Sequence, residues 1–357
     1  MTSKKKKKKN SIIAVIILTI TLTGSSILIP ILIKQSKNSP SWSLGDYGFD
    51  EEILDQALSS FNSYSFIRSA LVTRYNDTVI EWYFNDGSRD AAFHIHSASK
   101  SFMSTIFGIA VDQGYFPDLD EAIMNYFPEY THLPLNPWVY NVTIRHLLEM
   151  RAGFDFGEEV SNYVAYSNSP DWTRFTLELG FKFFPGYSWS YCTPQTNLLS
   201  VILTKATGMS TKAFAELYLF DPIGITISYW QQDPQGYYTG GHEMYYTPRS
   251  MSRFGLMCLN YGLYNGSQVV SRNWLEQATI DSTNRGYGYQ WWVEEVFGYH
   301  MFFAGGQGGQ FIFCIPDLDL VVVTTASGTI FDEYPNQLFM IQSVVKYKII
   351  GAIEGVG

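Results

Sequence analysis

The chain has 357 residues, of which 46% are hydrophobic and 16% charged, so it can bury a large core and is not a disordered polymer. Its net charge is −9, and because Lys4–Lys9 contribute six positive charges, the rest of the chain carries −15. That balance disfavours nucleic acid as a partner. The three cysteines, Cys192, Cys258 and Cys314, are too few for a disulfide framework and lack metal-ligand spacing, so we expect no metal and no cofactor.

The N-terminal region predicts a membrane anchor. Residues 12–33 are 22 residues without a charge, and as a helix they would extend about 33 Å, enough to cross a bilayer core. The preceding lysines favour a cytoplasmic N-terminus, with the rest of the chain outside. A cleaved signal peptide is the alternative, but its apolar region is usually shorter and ends in small residues that are missing here. We therefore expect a cytoplasmic tail (1–10), a transmembrane signal-anchor (11–33), a linker (34–46) and one extracytoplasmic domain (47–357).

The elements of that domain follow from hydrophobic periodicity and turn residues. The pattern predicts an amphipathic helix near 50–62 and then a hairpin over 69–84 that turns at Asn76-Asp77. A mostly helical middle follows, with helices near 100–114, 143–151, 194–207 and 247–262. Three short strands come next, "YHMFFAG", "GQFIFCIP" and "LDLVVVTTAS", and a last helix spans 335–352. Chain ends that share an antiparallel sheet, with a helical insert between them, predict an α+β fold.

The stretch "HSASK" at 96–100 contains a serine three residues before a lysine. On a helix this spacing puts Ser97 and Lys100 on one face, where a desolvated lysine can activate a serine hydroxyl. The spacing is common by chance, because Ser3 and Lys6 share it. A second interpretation is that Ser97 is the N-cap of the helix that follows.

Six blocks, in order along the chain, resemble the beta-lactamase-related serine hydrolases. That family includes class C beta-lactamases, D-aminopeptidases, family VIII carboxylesterases and 6-aminohexanoate-dimer hydrolases. The resemblance covers nearly all of 47–352 and rests on the segments "HSASKSFMSTIFGIAVDQGYFPDLDEAIMNYFPEY", "VTIRHLLEMRAGFDF", "FFPGYSWSYCTPQTNLLSVILTKATGMS", "YYTPRSMSRFGLMCLNYG", "GYGYQWW" and "FFAGGQGGQFIFCIPDLDLVVVTT". It implies a beta-lactamase/transpeptidase-like fold and a serine hydrolase.

The resemblance also implies roles for individual residues. Ser97 matches the acyl-forming nucleophile, Lys100 its proton partner, and Tyr191 the tyrosine of the family's Y-x-N element. We expect the nearby ammonium group to lower the pKa of Tyr191. Thr193 occupies the place of the Asn, which puts part of substrate positioning in doubt. A literal Y-S-N begins at Tyr166, which resembles a substrate-contacting position of the 6-aminohexanoate-dimer hydrolases.

The Gly-rich block matches the family's K-T-G strand. Ala304, Gly305 and Gly306 fall there, so the lysine is missing, and the N–H of Gln307 would complete an oxyanion hole with that of Ser97. Without that lysine, the strand offers no positive charge to bind a carboxylate group of the substrate.

The resemblance assigns no role to several histidines and tryptophans. His94, His96 and His242 are predicted to be packing residues, since sequence neighbours do not face one another. Trp291 and Trp292 either line the pocket or belong to an aromatic core strand.

The prediction is a serine hydrolase, esterase or amidase in type, that acts on a small ester or amide through a Ser97 acyl-enzyme. The alternatives are a peptidoglycan-directed D-peptidase or beta-lactamase, and a catalytically weak binding or scaffold member of the family.

Overall fold

The computed structural model describes residues 43–328 and 336–356, and strands from both ends of this range form one sheet. The strands are β1 (Ile67–Arg74), β2 (Asp77–Tyr83), β3 (Phe93–His94), β4 (Tyr229–Trp230), β5 (Met244–Tyr246), β6 (Leu263–Tyr264), β7 (Ser267–Gln268), β8 (Trp292–Val296), β9 (Tyr299–Gly306), β10 (Gln310–Ile315) and β11 (Leu320–Ala326). The helices are α1 (Glu51–Asn62), α2 (Ser99–Asp112), α3 (Ile144–Leu148), α4 (Val160–Ser167), α5 (Trp172–Leu177), α6 (Thr193–Thr207), α7 (Thr211–Ala215), α8 (Asp221–Ile223), α9 (Pro248–Leu259), α10 (Arg272–Ala278) and α11 (Gln337–Val344).

The main sheet has six antiparallel strands in the order β2-β1-β11-β10-β9-β8. Strand β1 pairs with β11, with Leu71 opposite Val323, so the predicted hairpin lies beside the last strand of the chain. The prediction of an α+β fold with an antiparallel sheet and a mostly helical insert is confirmed. Strand β8 was not predicted, because its sequence "WVEEV" alternates only weakly.

Helices cover both faces of this sheet, so its central strands are buried on both sides. Leu71 and Val323 belong to the core cluster that includes α2, α6 and α9, whereas Val72 and Val322 belong to the cluster that includes α1 and α11. Successive side chains of a strand point to opposite faces of the sheet, and both faces are buried from solvent here. That is why β10 and β11 appear in the sequence as continuous apolar runs.

The hairpin turns one residue earlier than predicted. Tyr75 and Asn76 have φ values of 51° and 67°, and β2 starts at Asp77. Two consecutive left-handed residues suit the twist of a two-residue hairpin, and Asn tolerates that conformation better than most residues. The guanidinium of Arg74 lies 4.8 Å from the centre of the Tyr75 ring and covers it.

The C-terminal helix is shorter and less regular than predicted. After α11, residues Val345–Ile349 form a π-helical turn and Ile350–Ala352 a 3-10 turn. The predicted start at 335 lies outside the described residues.

The predicted anchor at 11–33 also lies outside the described residues. Across 43–328 and 336–356, none of the helices is long and apolar enough to cross a bilayer.

Candidate active site

Ser97 lies in a 3-10 turn, His96–Ala98, between β3 and α2. The Ile95 N–H donates to the Met244 carbonyl at 2.9 Å, which ties this approach to β5. His96, immediately before the serine, has a φ of 49°, a strained conformation for a residue with a Cβ. Such strain is commonly stored at functional sites.

The N-cap interpretation of Ser97 is wrong. Ala98 holds the cap position of α2, and neither it nor Ile95, the cap of the 3-10 turn, makes a side-chain cap bond. The hydroxyl of Ser97 accepts a hydrogen bond from Lys100 Nζ at 3.1 Å instead. Ser97 is also only half buried, unlike Lys100.

Lys100 is 1% exposed and its Nζ has three acceptors. Besides Ser97 Oγ, these are Thr193 Oγ1 at 2.9 Å and the Gly241 carbonyl at 3.0 Å. Burial lowers the pKa of Lys100 from 10.5 to about 8, although the Glu158 carboxylate and the Cys192 thiol act in the opposite direction. A lysine with this pKa is substantially neutral in mildly alkaline solution, so it can accept the proton of a serine hydroxyl.

Tyr191 lies beside the lysine and the serine, but its pKa moves the opposite way from the prediction. Burial raises the pKa of Tyr191 above its ordinary value, and a side-chain hydrogen bond with Ser97 offsets only part of that rise. The physical reason is burial: although Lys100 Nζ stands over the face of the ring, 4.9 Å from its centre, desolvation of the hydroxyl is the largest effect on this pKa. Tyr191 therefore stays protonated near neutral pH and can act as a proton donor.

An aromatic cluster surrounds the Tyr191 ring. Trp292 stacks on it at 5.9 Å between ring centres, and Trp189 and Tyr287 approach it at 6.2 Å. Trp292 is half buried next to the site, whereas Trp291 is fully buried against Phe254 and Phe302 in the core. The two sequence interpretations of this tryptophan pair therefore each describe one of its members.

Thr193 links the lysine to a carboxylate that the sequence did not reveal. The threonine is the first residue of α6, and Cys192 at the cap position makes no side-chain bond. Glu158, 35 residues earlier, accepts from Thr193 N at 2.7 Å and from Thr193 Oγ1 at 2.8 Å. The only available signal was the absence of a capping side chain at 192, which implied an acceptor from elsewhere.

A pair of glycines supplies the backbone acceptor for Lys100. A Cβ on Gly240 would lie 2.1 Å from the Thr196 carbonyl oxygen, and one on Gly241 would lie 3.1 Å from Thr193 Cγ2 and 3.4 Å from Lys100 Nζ. The segment can therefore approach α6 and the lysine only without side chains. In the sequence, the signal for this contact is the Gly-Gly pair before His242.

The Gly-rich end of β9 packs against the turn that carries the serine. A Cβ on Gly306 would lie 2.1 Å from the Ile95 carbonyl oxygen and 3.2 Å from Ala98 N, so only glycine fits there. A Cβ on Gly305 would meet Trp292 at 3.3 Å, on the side of the aromatic cluster. Gln307 follows in the exposed turn to β10. The structure thus brings together the two segments predicted to form the oxyanion hole.

Tyr166 is not on the surface of the site. It is fully buried in α4, its ring lies 4.5 Å from that of Trp172, and its hydroxyl has no hydrogen-bond partner among the described residues. Contact between Tyr166 and a substrate would require the surrounding side chains to move. Tyr163, one turn earlier, is closer to the chemistry: burial raises its pKa, and a side-chain hydrogen bond with Thr193 offsets part of that rise.

The histidines near the serine are uncharged. The rings of His94 and His96 lie 3.8 Å apart, and burial lowers their pKa values to about 3 and about 4. His242 is also buried, with a pKa lowered to about 3. His94 Nε2 accepts from the Glu243 N–H at 3.0 Å. Among the described residues, no three His, Cys, Asp or Glu side chains come together as metal ligands would.

Comparison with known proteins places the chain among hydrolases of one fold. Residues 68–342 match the family model described as Beta-lactamase. The 6-aminohexanoate-dimer hydrolase of Paenarthrobacter ureafaciens is 27% identical over 295 residues, which cover 72% of this chain and 71% of that protein.

Two solved structures share the fold. A Bacillus anthracis protein provisionally assigned as a 6-aminohexanoate-dimer hydrolase superposes with a TM-score of 0.63 at 23% identity, covering 82% of this chain and 81% of its own. A D-stereospecific amidohydrolase from Streptomyces sp. gives a TM-score of 0.62 at 16% identity, covering 85% and 99%.

Proposed function

Because the chain belongs to the beta-lactamase family of hydrolases, we propose that it is a serine hydrolase that cleaves esters or amides through an acyl-enzyme on Ser97. One observation carries the proposal: a buried lysine, with its pKa lowered to about 8, lies 3.1 Å from the oxygen of a half-buried serine. That pair supplies the two things that a serine nucleophile needs, access to substrate and an adjacent base.

In the proposed acylation, neutral Lys100 takes the proton of Ser97 as Oγ bonds to the carbonyl carbon. The N–H groups of Ser97 and Gln307 stabilise the oxyanion. When the bond to the leaving oxygen or nitrogen breaks, that atom takes a proton from Tyr191, whose raised pKa keeps it protonated until then. Lys100, which holds the serine's proton, can restore the proton of Tyr191.

Deacylation repeats these steps with water. A water molecule attacks the acyl carbon and gives up a proton to the Lys100–Tyr191 pair, and the Ser97 oxygen regains a proton as it leaves. The products are a carboxylic acid and the free serine. No cofactor enters this scheme.

The proposed substrates are uncharged or lack a carboxylate next to the scissile bond. The end of β9 reads Ala304-Gly305-Gly306, where the residues have no ionisable side chain, so this strand offers no cation to a carboxylate. The Paenarthrobacter relative is named for the hydrolysis of a 6-aminohexanoate dimer, which is compatible with an amide substrate. For these reasons we favour an esterase or amidase over a beta-lactamase or D-peptidase.

Labelling with a fluorophosphonate probe tests the proposal. Wild type should label, Ser97→Ala should not, and Ser104→Ala should label like wild type, because the Ser104 hydroxyl is buried in α2 and has no hydrogen-bond partner among the described residues. Equal labelling of wild type and Ser97→Ala would refute the hydrolase proposal and favour the binding or scaffold alternative. Hydrolysis of nitrocefin but not of p-nitrophenyl esters would instead favour the beta-lactamase alternative.

We further propose that residues 12–33 anchor the protein in a membrane with the catalytic domain outside the cytoplasm. The support is the uncharged segment of 22 residues that follows six lysines. After expression in bacterial cells, the full chain should resist alkaline carbonate extraction, and protease added to spheroplasts should digest the domain. Release of the full-length chain by carbonate would refute the anchor.

A further inference from the structure

The hydroxyl of Thr193 has its hydrogen-bond direction set by its neighbours. It has one proton, and the nearest carboxylate oxygen, Glu158 Oε2, accepts it at 2.8 Å. The second carboxylate oxygen accepts the Thr193 N–H at 2.7 Å, which fixes the carboxylate in place at the start of α6. With its proton directed to Glu158, the Thr193 oxygen acts as an acceptor towards its other neighbours, Lys100 Nζ at 2.9 Å and the Tyr163 hydroxyl.

The Gly241 carbonyl oxygen is the second acceptor for Lys100, and it can only accept a hydrogen bond. A carbonyl oxygen cannot donate, so the 3.0 Å contact consumes one N–H of Lys100. A neutral amine has two N–H groups and one lone pair. Thr193 and Gly241 use both N–H groups, and the lone pair is left for the remaining neighbour, Ser97 Oγ at 3.1 Å.

We infer that Glu158 is a positioning residue: by accepting the Thr193 proton, its carboxylate makes Thr193 an acceptor and directs the lone pair of neutral Lys100 at the Ser97 hydroxyl. This inference rests on the proposed function, in which Lys100 is the base. Glu158 itself touches neither the serine nor the lysine through a hydrogen bond, and it acts through Thr193.

An amide cannot replace the carboxylate in this arrangement. The Thr193 N–H is always a donor, so the single oxygen of a glutamine would face it, and the NH₂ group would face Thr193 Oγ1. The threonine oxygen would then accept from the amide, and its own proton would turn towards Lys100. The lysine lone pair would meet that proton instead of the serine hydroxyl.

Other titratable groups surround Lys100 from several elements. They are Tyr163 in α4, Tyr191 and Cys192 before α6, His96 before α2, and His242 before β5. Glu158→Gln leaves these residues in place, and the loss of its negative charge also lowers the pKa of Tyr163, Tyr191 and Cys192.

Glu158→Gln tests the inference, with Glu159→Gln as the matched control. Glu159 is the next residue and is also exposed, but its carboxylate accepts from Asn162 Nδ2 at 3.0 Å and not from Thr193. With p-nitrophenyl acetate, Glu158→Gln should lower kcat about 10- to 100-fold on the alkaline plateau, as expected for a misdirected base. Glu159→Gln should retain the wild-type rate.

The pH profile separates the charge of Glu158 from its positioning role. The negative charge of Glu158 raises the pKa of Lys100, so the acid limb of kcat/KM should move to lower pH in Glu158→Gln whatever else Glu158 does, and stay in place in Glu158→Asp, which keeps the charge. Positioning is read from kcat on the plateau above that limb, where Lys100 is neutral in both enzymes. A mere capping role would lower the melting temperature and leave the plateau kcat per folded molecule unchanged.

A direct titration of Lys100 keeps this test independent of the proposed function. In the full chain labelled with ¹³Cε-lysine, the signal lost in Lys100→Met identifies Lys100, and its titration should shift to lower pH in Glu158→Gln but not in Glu159→Gln. An unchanged titration, or wild-type kcat in Glu158→Gln, would overturn the inference. Absence of Ser97-dependent labelling in wild type would refute the proposed function, while the titration would still report on Glu158.

Discussion

The two faces of the central sheet differ in what they bury. On the face covered by α1 and α11, the core is mainly apolar: α1 buries only Leu54, Ala57 and Phe61, and α11 buries one polar side chain, Gln337. On the other face, α2 buries Lys100 and several hydroxyl groups, and α6 buries the polar residues Thr193, Gln195, Thr196 and Asn197. Burying polar groups is costly unless each finds a partner. Most of this cost falls on the face that carries Ser97 and Lys100.

Partners on the polar face come from distant parts of the chain. Ser101 Oγ donates to the Gln290 carbonyl at 2.8 Å, and Thr196 Oγ1 donates to Gln290 Oε1 at 2.9 Å. The Gln195 amide donates to the Leu147 carbonyl at 2.9 Å. These bonds fix the relative positions of α2, α3 and α6, which keeps Lys100 and Thr193 within hydrogen-bond distance of each other.

The largest effect on activity is expected for Lys100→Met. The substitution removes the base but fills a similar volume, so kcat should fall about 10³- to 10⁴-fold. The free energy of unfolding should not decrease, because a buried amine is exchanged for an apolar side chain. Steady-state kinetics and urea unfolding measure the two quantities. Lys212→Met, on the more exposed α7, should change neither, and a loss of folding in Lys100→Met would show that the lysine is structural.

The apolar face should behave in the opposite way. Phe61→Ala leaves a cavity between α1 and the sheet and should lower the free energy of unfolding by about 3–5 kcal/mol. Phe61 is fully buried on the face away from Ser97, so kcat per folded molecule should not change. Phe339→Ala, at a position that is 69% exposed, is the control and should leave stability unchanged. Loss of kcat in folded Phe61→Ala would contradict this division between the faces.

Tyr191→Phe tests which group on the polar face donates a proton to the leaving atom. The ring stays beneath Lys100 and beside Trp292, and only the proton donor is removed. We expect kcat to fall about 10²-fold, with a larger loss for amides than for activated esters because amines are poorer leaving groups. Tyr187→Phe, at a position 79% exposed, should have no effect. Equal rates for Tyr191→Phe and wild type with an amide would exclude the tyrosine as the donor.

The pH dependence of wild type should follow Lys100. The lysine must be neutral to act as a base, so kcat/KM for a neutral ester should rise with pH, level off above about 8, and fall about tenfold per unit below it. His94 and His96, with pKa values of about 3 and about 4, are neutral throughout this range and do not contribute. A rate limb near pH 6.5 would point to a histidine base instead.

The smallest effect is expected for Gly306→Ala. The added methyl group would push β9 away from the serine turn, because its position lies 2.1 Å from the Ile95 carbonyl oxygen. We expect kcat to fall several-fold to about tenfold, through a displaced oxyanion hole. Gly180→Ala is the control, since its Cβ would meet nothing closer than Asp155 Cβ at 3.8 Å. Wild-type kcat in Gly306→Ala would argue against an oxyanion hole at this strand.

Local patterns predicted much of the fold and only part of the site. The hairpin, α2, α6, α9 and the last three strands were predictable because periodicity and turn residues act over a few neighbours. The hairpin turn was misplaced by one residue, since Tyr75 adopts a conformation that its residue type disfavours. Strand β8 was missed because its pairing with β9, and not its composition, makes it a strand.

The sequence by itself determined that Ser97 and Lys100 would meet, because three residues within one helical turn set that distance. It also indicated the Gly-rich strand and the Pro-Gly segment before Tyr191. Only the tertiary structure decided what surrounds them: that Ser97 lies in the middle of a 3-10 turn without capping a helix, and that Lys100 meets the ring face of Tyr191. Glu158 and Gly241 complete the lysine's surroundings from 58 and 141 residues away along the chain. Burial and hydrogen-bond partners at such separations depend on packing, and packing sets the pKa values on which the chemistry depends.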